Sequence, residues 1–418
     1  MRILWFTNTP SSASKKLNEK ITIGGWMISL EKHLAKINSI ELGVAFPYGY
    51  SGTDNFKIDR TEYFSFPYPK DKGKILGLRG RLAHNIEPKS EINYYLDIVN
   101  KFKPDLIQIF GSERSFGLII PHINIPVLIH IQGNLTVYEK KWFSGLSSWN
   151  IFRYSNLKDL ILGYNIWHQY FLFKKRAFRE QTIFTHCKYF MGRTDWDRRI
   201  TKTLAPNSRY FHCNELLREE FFNASWIKPE NTKTKLFSIV SSSTYKGIET
   251  ILETAILLKK HKLLEFEWHI AGISSNDEIV KIIERKTKQK FSDNHTYLKG
   301  SLSTDYLLKE LMTSNCFVHP SHIENSANSI CEAMLIGLPV IATYAGGTPS
   351  LINNGEEGLL VQDGDPYALA GAILELINDK DLLNNISQKA SLRAKKRHNP
   401  EKVVKDLLTI YEAILKEN

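Results

Sequence analysis

The second half of the chain repeats one pattern, in which an apolar run of about five residues precedes a segment with helical apolar spacing. This alternation is typical of βαβ units, which build a parallel sheet covered by helices. Helices are predicted at Gly247–Lys260 and Ser303–Met312, among others. The apolar runs predict six strands, at Leu236–Val240, Glu267–Ala271, Thr296–Leu298, Cys316–His319, Pro339–Thr343 and Gly358–Gln362.

The first half opens in the same way, although its pattern is less regular. A strand at Arg2–Thr7 precedes a helix at Gly24–Ile37. Later apolar runs predict strands at Ile40–Phe46, Leu106–Phe110 and Pro126–Ile131, and the last two are apolar enough to be buried on both faces. We therefore expect a second α/β sheet.

Two domains are expected because a chain of 418 residues exceeds the roughly 250–300 residues at which a single core stops growing. The polar segment Asn223–Thr234 contains Pro229 and has no apolar periodicity, which favours a linker. We place the two domains at residues 1–228 and 229–398. Residues 399–418 are predicted to form an amphipathic helix.

Several classes of protein are disfavoured by the sequence. No apolar run approaches the roughly 18 residues of a membrane-spanning helix, and the opening MRILWFTNTP predicts a strand rather than a secretory signal. The four cysteines are far apart and lack metal-ligand spacing, which suits a reducing compartment such as the cytoplasm. The chain has neither a Gly-x-Ser-x-Gly turn nor a Gly-x-Gly-x-x-Gly motif, so hydrolase and nicotinamide chemistry lack support.

The formal net charge is +11, and the excess of Lys and Arg lies in the first 230 residues. A basic half can attract nucleic acid, an anionic membrane surface or a phosphorylated substrate, and charge alone does not distinguish them. The aromatic and basic stretch Tyr138–Arg179 is interpreted as a helix packed on the N-terminal sheet. Its composition also suits attachment to a membrane interface, where aromatic side chains lie at headgroup level.

The most informative segment, residues 319–347, carries two glutamates eight positions apart. Glu324 lies in the turn after a predicted strand, and Glu332 lies two turns into a helix. That helix is predicted to begin near Asn325 or Ser326, which are good N-caps. Eight residues of helix rise about 12 Å, so the carboxylates can hold opposite ends of one extended ligand. A nucleotide sugar has about that length between its hexose and ribose hydroxyls, which carboxylates bind well.

A sugar nucleotide carries a diphosphate between those ends. The backbone N–H groups at the helix start, Ala327–Ile330, are predicted to have no partners within the helix and to lie at the positive end of its dipole. They therefore suit a phosphate, and Asn328, Ser329 and Ile330 are predicted to bind the donor.

The two glutamates, followed by Gly337-Leu-Pro-Val-Ile-Ala and Gly346-Gly347, resemble the EX7E signature of retaining glycosyltransferase family 4. The resemblance implies the GT-B fold, an α/β fold in which two Rossmann-like α/β/α domains face a central cleft. It also implies that the C-terminal helix crosses back onto the N-terminal domain. Three earlier segments follow the family's order, namely Ser241-Ser-Ser-Thr-Tyr-Lys246-Gly247, His269-Ile-Ala-Gly272 and Leu298-Lys-Gly300.

The resemblance further implies roles for individual residues. Glu324 is expected to contact the transferred sugar, Glu332 the ribose and Lys246 the diphosphate. A fixed cation beside the leaving diphosphate lowers the barrier to its departure, so neither a metal nor a cofactor is expected. The remaining predicted donor contacts in this half are Ser241, Ser242, Gly272 and Gly300.

One position departs from the family pattern. The family commonly has an arginine about five residues before the lysine, where this chain has Val240 and Ser241. The serines Ser241, Ser242 and Ser243 can donate hydrogen bonds but carry no charge. Either another basic residue reaches the diphosphate, or donor affinity or chemistry differs.

Two features carry the resemblance in the first half. Gly24-Gly25 follows the first strand and opens a helix, where glycine allows the backbone to approach the donor phosphate or the acceptor. The alternative is an ordinary pair of loop glycines. His130, near the end of a predicted strand, matches a family histidine beside the reacting sugar, and is expected to act on the sugar or acceptor side. The alternative is a packing histidine.

The run from Gly192 to Arg198 resembles a segment of polysaccharide-building members of the family. It also contains Asp195-Trp-Asp197, an Asp-x-Asp motif that binds manganese in another transferase fold. Basic residues flank this motif, whereas a metal-binding motif usually ends an apolar strand. We therefore expect a helix start with a salt-bridge cluster rather than a metal site.

The sequence thus predicts a retaining, metal-independent transferase that moves a sugar from a nucleoside diphosphate donor to a growing bacterial surface polysaccharide, as in capsule assembly. Charge and resemblance favour a lipid-linked diphosphate acceptor, with the protein in the cytoplasm or on the inner face of the membrane. Two alternatives stay open. A GT-B nucleotide-sugar epimerase needs no acceptor, and a nucleic-acid-binding protein would use the basic aromatic stretch.

Overall fold

The computed structural model describes residues 1–17, 25–49, 55–67, 73–88, 90–230 and 233–418. These residues form two units. Unit 1 comprises Met1–Glu139, Tyr170–Arg218 and His398–Asn418, and unit 2 comprises Lys140–Gln169 and Glu219–Arg397. None of the described helices has the length and hydropathy needed to cross a membrane.

The regular elements of the described residues are numbered along the chain. The strands are β1 Arg2–Phe6, β2 Glu41–Pro47, β3 Asn55–Ile58, β4 Thr61–Phe66, β5 Leu106–Phe110, β6 Val127–His130, β7 Tyr189–Gly192, β8 Arg209–His212, β9 Thr234–Ile239, β10 Phe266–Ala271, β11 Thr296–Gly300, β12 Cys316–His319, β13 Val340–Thr343 and β14 Leu359–Val361. The helices are α1 Gly25–Leu34, α2 Gly73–Leu82, α3 Glu91–Phe102, α4 Leu135–Lys140, α5 Ser148–Tyr154, α6 Leu157–Leu162, α7 Ile166–His186, α8 Asp195–Leu204, α9 Glu219–Phe222, α10 Ile248–Lys260, α11 Glu278–Thr287, α12 Thr304–Met312, α13 Asn328–Ile336, α14 Pro366–Asn378, α15 Lys380–Arg397 and α16 Pro400–Lys416.

Unit 1 is built on one sheet with the strand order β3-β4-β2-β1-β5-β6-β7-β8. Its strands pair in parallel, apart from the antiparallel pair of β3 and β4. Successive residues of β1 face opposite sides, so Ile3 and Trp5 enter one apolar core while Leu4 and Phe6 enter another. The sheet therefore separates two cores, as the buried apolar strands indicated.

Helix α16 covers part of one face of the unit 1 sheet. The hydroxyl of Tyr411, which is fully buried, accepts a hydrogen bond from Trp5 Nε1 at 3.3 Å and donates one to Gln108. The amphipathic helix predicted for residues 399–418 is therefore present, and it packs within unit 1. Its buried apolar side chains, at helical spacing, are Val403, Leu407, Ile410 and Ile414.

Unit 2 is built on a parallel sheet with the strand order β11-β10-β9-β12-β13-β14. The chain lays β10 and β11 on one side of β9 and then returns to place β12 on the other. The carboxyl ends of β9 and β12 consequently lie side by side at a switch point, where ligands bind in open α/β sheets. All six strands predicted for this half are present, with ends that differ by no more than two residues.

The division of the chain differs from the one predicted. Residues 140–169 belong to unit 2, although the sequence placed them in the N-terminal domain, and the units change between Arg218 and Glu219 rather than at residue 228. The stretch Tyr138–Arg179 is not one helix, because it spans the end of α4, all of α5 and α6, and most of α7. Its breaks have local causes, since Ser147 and Asn156 cap α5 and α6 by accepting backbone N–H groups.

Candidate active site

The candidate site lies in unit 2, where β9 and β12 end side by side. The turn Thr244–Lys246 follows β9, and the loop that carries Glu324 follows β12. The backbone N–H of His322 donates to the carbonyl oxygen of Tyr245 at 2.8 Å and so joins the two loops. Two charged residues that are far apart in the sequence are thereby brought together.

Two glycines allow the backbones of these loops to approach closely. Gly247 has a φ of +70°, and a Cβ atom there would lie 2.0 Å from the carbonyl oxygen of Pro320. Gly346 has a φ of +55°, and its Cβ would lie 2.0 Å from the carbonyl oxygen of Glu324. The same oxygen accepts a hydrogen bond from the Gly347 N–H at 2.8 Å. The glycines of the sequence motif therefore fix the backbone on both sides of Glu324.

Lys246 and Glu324 form an ion pair, with Lys246 Nζ 2.5 Å from Glu324 Oε2. Burial alone would raise the pKa of the Glu324 carboxyl, but the Lys246 ammonium and a hydrogen bond to His319 hold that pKa well below its ordinary value. Burial alone would lower the pKa of Lys246, yet the Glu324 carboxylate holds it above its ordinary value. Both groups are therefore charged at neutral pH, and an anion that enters the site meets an ammonium already in position.

The carboxylate of Glu324 is held in one orientation by donors on both oxygens. His319 Nε2 lies 3.3 Å from Oε2, and the backbone N–H of Asn325 donates to Oε1 at 3.3 Å. Ser321 Oγ lies 3.1 Å from the same imidazole nitrogen. Together with Lys246, these groups keep the carboxylate fixed before any ligand arrives.

The start of α13 differs from the sequence prediction. The helix begins at Asn328, and its N-cap is Ala327, which makes no side-chain cap hydrogen bond. The expectation that Asn325 or Ser326 begins the helix is therefore wrong, because the backbone N–H of Asn325 is held by the Glu324 side chain. Both polar residues are buried in the loop before the helix.

One of the three α13 residues that were expected to bind phosphate has a backbone N–H group that is already hydrogen-bonded. The Ile330 N–H donates to the carbonyl oxygen of Ala327 at 3.0 Å, so the expectation that it has no partner is wrong. A tight first turn of this kind satisfies donors that an α-helix would leave open. The N–H groups of Asn328 and Ser329 precede that bond and remain candidates at the positive end of the helix. Glu332, the expected ribose ligand, is buried further along the helix.

The other predicted donor contacts in unit 2 lie at the same edge of the sheet. Ser241 and Ser242 are exposed just beyond β9. Gly272 has a φ of +94°, and a Cβ there would lie 2.1 Å from the carbonyl oxygen of Val240, so this glycine is needed for the packing of neighbouring strand ends. Gly300 has a φ of +64° with open space around it, and it accepts a hydrogen bond from Gly272.

A second charged cluster, which the sequence did not indicate, lies beside the Lys246 turn. His322 Nε2 lies 2.6 Å from Glu249 Oε1, and His322 Nδ1 lies 3.3 Å from Asp363 Oδ2. Lys141 Nζ lies 3.6 Å from the same oxygen of Asp363. Burial alone would lower the pKa of His322, but the two carboxylates hold it above its ordinary value. The imidazolium joins α10, the β12 loop and the segment after β14.

Residues 140–147 support the turn that carries Lys246. Thr244 Oγ1 donates to the carbonyl oxygen of Trp142, and the Trp142 ring lies 5.9 Å from that of Tyr245. Gly145 lies so close to Glu249 that a Cβ there would be 2.4 Å from the carboxylate. A segment from the first half of the sequence is therefore part of the candidate donor site.

In unit 1, His130 ends β6 and is almost completely buried. Its ring packs against Trp26 and Phe110, and burial together with the Arg193 guanidinium lowers the pKa of His130 to about 3. Nε2 of this neutral imidazole has no hydrogen-bond partner among the described residues. Trp26 follows Gly25, the first residue of α1.

His130 and Gly25 thus lie in one part of unit 1, whereas Gly24 lies outside the described residues.

The Asp-x-Asp run begins a helix, as expected. Thr194 caps α8, and Asp197 closes a capping box with it. Asp195 pairs with Arg198 at 3.0 Å, whereas Asp197 accepts hydrogen bonds from the backbone N–H of Arg193 and from a tyrosine hydroxyl. The run does follow an apolar strand, β7, contrary to the argument made from its flanks. Even so, the contacts of Asp197 account for its burial.

Comparison with known proteins agrees with this geometry. Residues 220–393, which include Lys246, Glu324 and Glu332, match the family described as Glycosyl transferases group 1. We refer to these residues as the group 1 segment, after the family that they match. The match covers most of unit 2 and leaves the larger part of unit 1 outside it.

Curated relatives match this chain over short lengths. The capsular polysaccharide biosynthesis glycosyltransferase CapM of Staphylococcus aureus is 35% identical over 104 residues, which cover 25% of this chain and 27% of CapM. The N-acetyl-alpha-D-glucosaminyl L-malate synthase of Bacillus anthracis is 30% identical over 114 residues, which cover 27% of this chain and 30% of that enzyme. The chain therefore matches less than a third of the length of each.

Solved structures match over the whole chain. Sucrose-phosphate synthase from Thermosynechococcus elongatus superposes with a TM-score of 0.73 at 13% identity, covering 100% of both chains. HepE from Anabaena, solved in complex with UDP-glucose, superposes with a TM-score of 0.65 at 14% identity, covering 99% of this chain and 100% of HepE. The two-domain α/β fold with parallel sheets is therefore the GT-B fold.

Proposed function

We propose that this protein is a retaining glycosyltransferase of family 4 that uses a nucleoside diphosphate sugar without a metal and extends a bacterial surface polysaccharide. One observation carries the proposal, namely the Lys246–Glu324 ion pair where β9 and β12 end, within the group 1 segment. An ammonium beside a carboxylate suits a reaction that separates a diphosphate anion from a sugar cation. CapM, named for capsular polysaccharide biosynthesis, and the UDP-glucose complex of HepE support the same class.

The ion pair indicates how the donor binds and how its bond to phosphate is broken. The diphosphate takes a place beside Lys246 Nζ and the first N–H groups of α13, while the sugar lies against Glu324. As the bond between the anomeric carbon and the phosphate oxygen breaks, Lys246 stabilises the negative charge on the leaving diphosphate. The carboxylate of Glu324 stabilises the positive charge that develops on the sugar ring. Both groups are held in place beforehand, so little reorganisation opposes the step.

The acceptor hydroxyl replaces the diphosphate on the anomeric carbon. Its hydroxyl oxygen forms the new bond to the anomeric carbon on the face that the phosphate leaves, and its proton passes to the leaving phosphate oxygen. The configuration is retained, and no side-chain base is required. Glu332 binds the ribose of the donor in this arrangement, and His130 acts as a neutral hydrogen-bonding group on the sugar or acceptor side.

The proposed acceptor is a lipid-linked diphosphate sugar at the inner face of the cytoplasmic membrane. The net charge of +11 favours an anionic acceptor through long-range attraction. The poly(ribitol-phosphate) alpha-N-acetylglucosaminyltransferase of Staphylococcus aureus, 28% identical over 171 residues, is named for an anionic polymer acceptor.

A thermal-shift screen with UDP, GDP, ADP and their sugars tests donor use, and transfer is then measured with the donor it selects. Glu324→Gln and Lys246→Met should each lower the transfer rate at least about 100-fold, while EDTA should leave wild-type turnover unchanged. Glu375→Ala, an exposed glutamate on α14, is the matched control. Wild-type turnover by either site variant contradicts the proposal, and donor conversion that needs no acceptor favours an epimerase.

A further inference from the structure

Helices α5 and α6 expose an apolar surface that the proposed transfer reaction does not use. The rings of Trp149 and Phe152 contact one another at 6.0 Å, and Leu157 and Ile161 lie four residues apart on one face of α6. Clusters of this kind, unlike scattered apolar side chains, mark binding surfaces. The members of this α5–α6 surface, each more than half exposed, are Trp149 at 62%, Phe152 at 53%, Leu157 at 69%, Ile161 at 62% and Tyr164 at 55%.

The α5–α6 surface is firmly attached to unit 2. Ile151 is fully buried beneath it. The Glu278 carboxylate accepts hydrogen bonds from Ser155 Oγ at 3.0 Å and from the backbone N–H of Ile166 at 2.9 Å. Arg285 Nη1 donates to the carbonyl oxygen of Tyr154 at 2.6 Å. The exposed side chains therefore stand on an ordered platform, and their exposure is not the result of a frayed segment.

Basic side chains border the α5–α6 surface. Arg153 and Lys158 are exposed on α5 and α6 themselves, beside one half-buried acid, Asp159. Helix α11, which packs against α5, exposes Lys281 and Arg285, and Lys288 is exposed directly after it. A predominantly basic rim disfavours pairing with a second copy of the same surface. Aromatic side chains with a basic rim suit the interface of an anionic bilayer, where rings lie at headgroup level and cations meet lipid phosphate.

We propose that the α5–α6 surface docks on a bilayer that contains anionic lipid, with its apolar side chains entering the headgroup region. This docking goes beyond the proposed transfer reaction and does not depend on it. The surface belongs to unit 2, the unit that also contains Lys246 and Glu324, so docking brings the donor-binding unit to the lipid surface.

Sedimentation with phosphatidylcholine vesicles, with and without phosphatidylglycerol, tests the proposal. Wild-type protein should bind the anionic vesicles, and the double variants Trp149→Ser/Phe152→Ser and Leu157→Ser/Ile161→Ser should each bind at least about tenfold more weakly. Arg153→Glu/Lys158→Glu should weaken binding to anionic vesicles alone. The matched control is Tyr367→Ser/Leu392→Ser, which removes two unit 2 side chains that are 73% and 72% exposed, and it should bind like wild type.

Three results would overturn the docking proposal. The first is wild-type protein that does not bind anionic vesicles, and the second is α5–α6 variants that bind as well as the control. The third is a concentration-dependent dimer that these variants abolish, because it would assign the surface to a second copy of the chain. Donor-induced thermal shifts are measured on the same variants and should be unchanged. Failure of docking and failure of the transferase proposal therefore give different results.

Discussion

Removal of one partner of the Lys246–Glu324 pair should destabilise unit 2, because the other charge is left without its counterion. Glu324→Gln keeps the shape of the side chain and removes the charge that lies 2.5 Å from Lys246 Nζ. Loss of one partner of a buried pair costs about 3–5 kcal/mol. The two side chains are 19% and 11% exposed, so water reaches both groups, and we expect a smaller loss of about 2–3 kcal/mol.

The assay is thermal unfolding without donor, followed in wild type, Glu324→Gln, Lys246→Met and the double variant. A domain the size of unit 2 loses about 2–4 °C per kcal/mol, so each single variant should unfold about 4–12 °C below wild type. The double variant should lose less than the sum of the singles, with a coupling of about 2 kcal/mol. Additive losses would refute the argument that these residues are paired.

The pH dependence of the same variants gives an independent check. The pKa of Glu324 is lowered in the folded state, so its contribution to stability is present above the ordinary carboxyl pKa and is lost as pH falls through the folded value. The pKa of Lys246 is raised, so its contribution is lost only as pH rises through a value above the ordinary one. The difference in unfolding temperature between wild type and Glu324→Gln should stay constant near neutral pH and shrink in acid.

Three other outcomes are expected in thermal unfolding. Gly247→Ala should cost more than about 2 kcal/mol, because a positive φ and a backbone clash combine, whereas Gly300→Ala, with a similar φ and open space, should cost about 1–2 kcal/mol. The pKa of His322 is raised, so its contribution to stability is present below the ordinary histidine pKa and is lost at higher pH. His322→Gln should therefore lower the unfolding temperature more at about pH 6 than at about pH 9. Asp197→Asn should lower the free energy of unfolding by about 1–2 kcal/mol and Asp195→Asn by less than about 0.5 kcal/mol. Manganese or EDTA should change neither result. Equal losses at the two aspartates would contradict the capping role of Asp197.

The sequence predicted ten of the fourteen strands in the described residues and missed β3, β4, β7 and β8, although β7 is buried at every position. Strands β5 and β12 lie at the predicted positions, because each is a short apolar run bounded by turn residues. Strands β3 and β8 are four residues long and have no buried position, so no apolar run indicates them. The breaks before α5 and α6 were missed because their N-caps, Ser147 and Asn156, lie within an aromatic stretch that was interpreted as one helix.

The candidate site was predicted as a set of residues but not as a set of contacts. The motif indicated Lys246 and Glu324, whereas their ion pair depends on the sheet order that puts β9 next to β12. His322 lies within the motif, yet its partners Glu249 and Asp363 are 73 and 41 residues away and lie on other elements. Contacts of that kind depend on tertiary packing, which local sequence patterns do not predict.

The most direct test is a crystal structure of the protein with the nucleoside diphosphate sugar selected by the thermal-shift screen. The account predicts a diphosphate within hydrogen-bonding distance of Lys246 Nζ and the N–H groups of Asn328 and Ser329, a sugar against Glu324 and a ribose on Glu332. A donor bound elsewhere, with the Lys246–Glu324 pair unchanged and the loop empty, would contradict it.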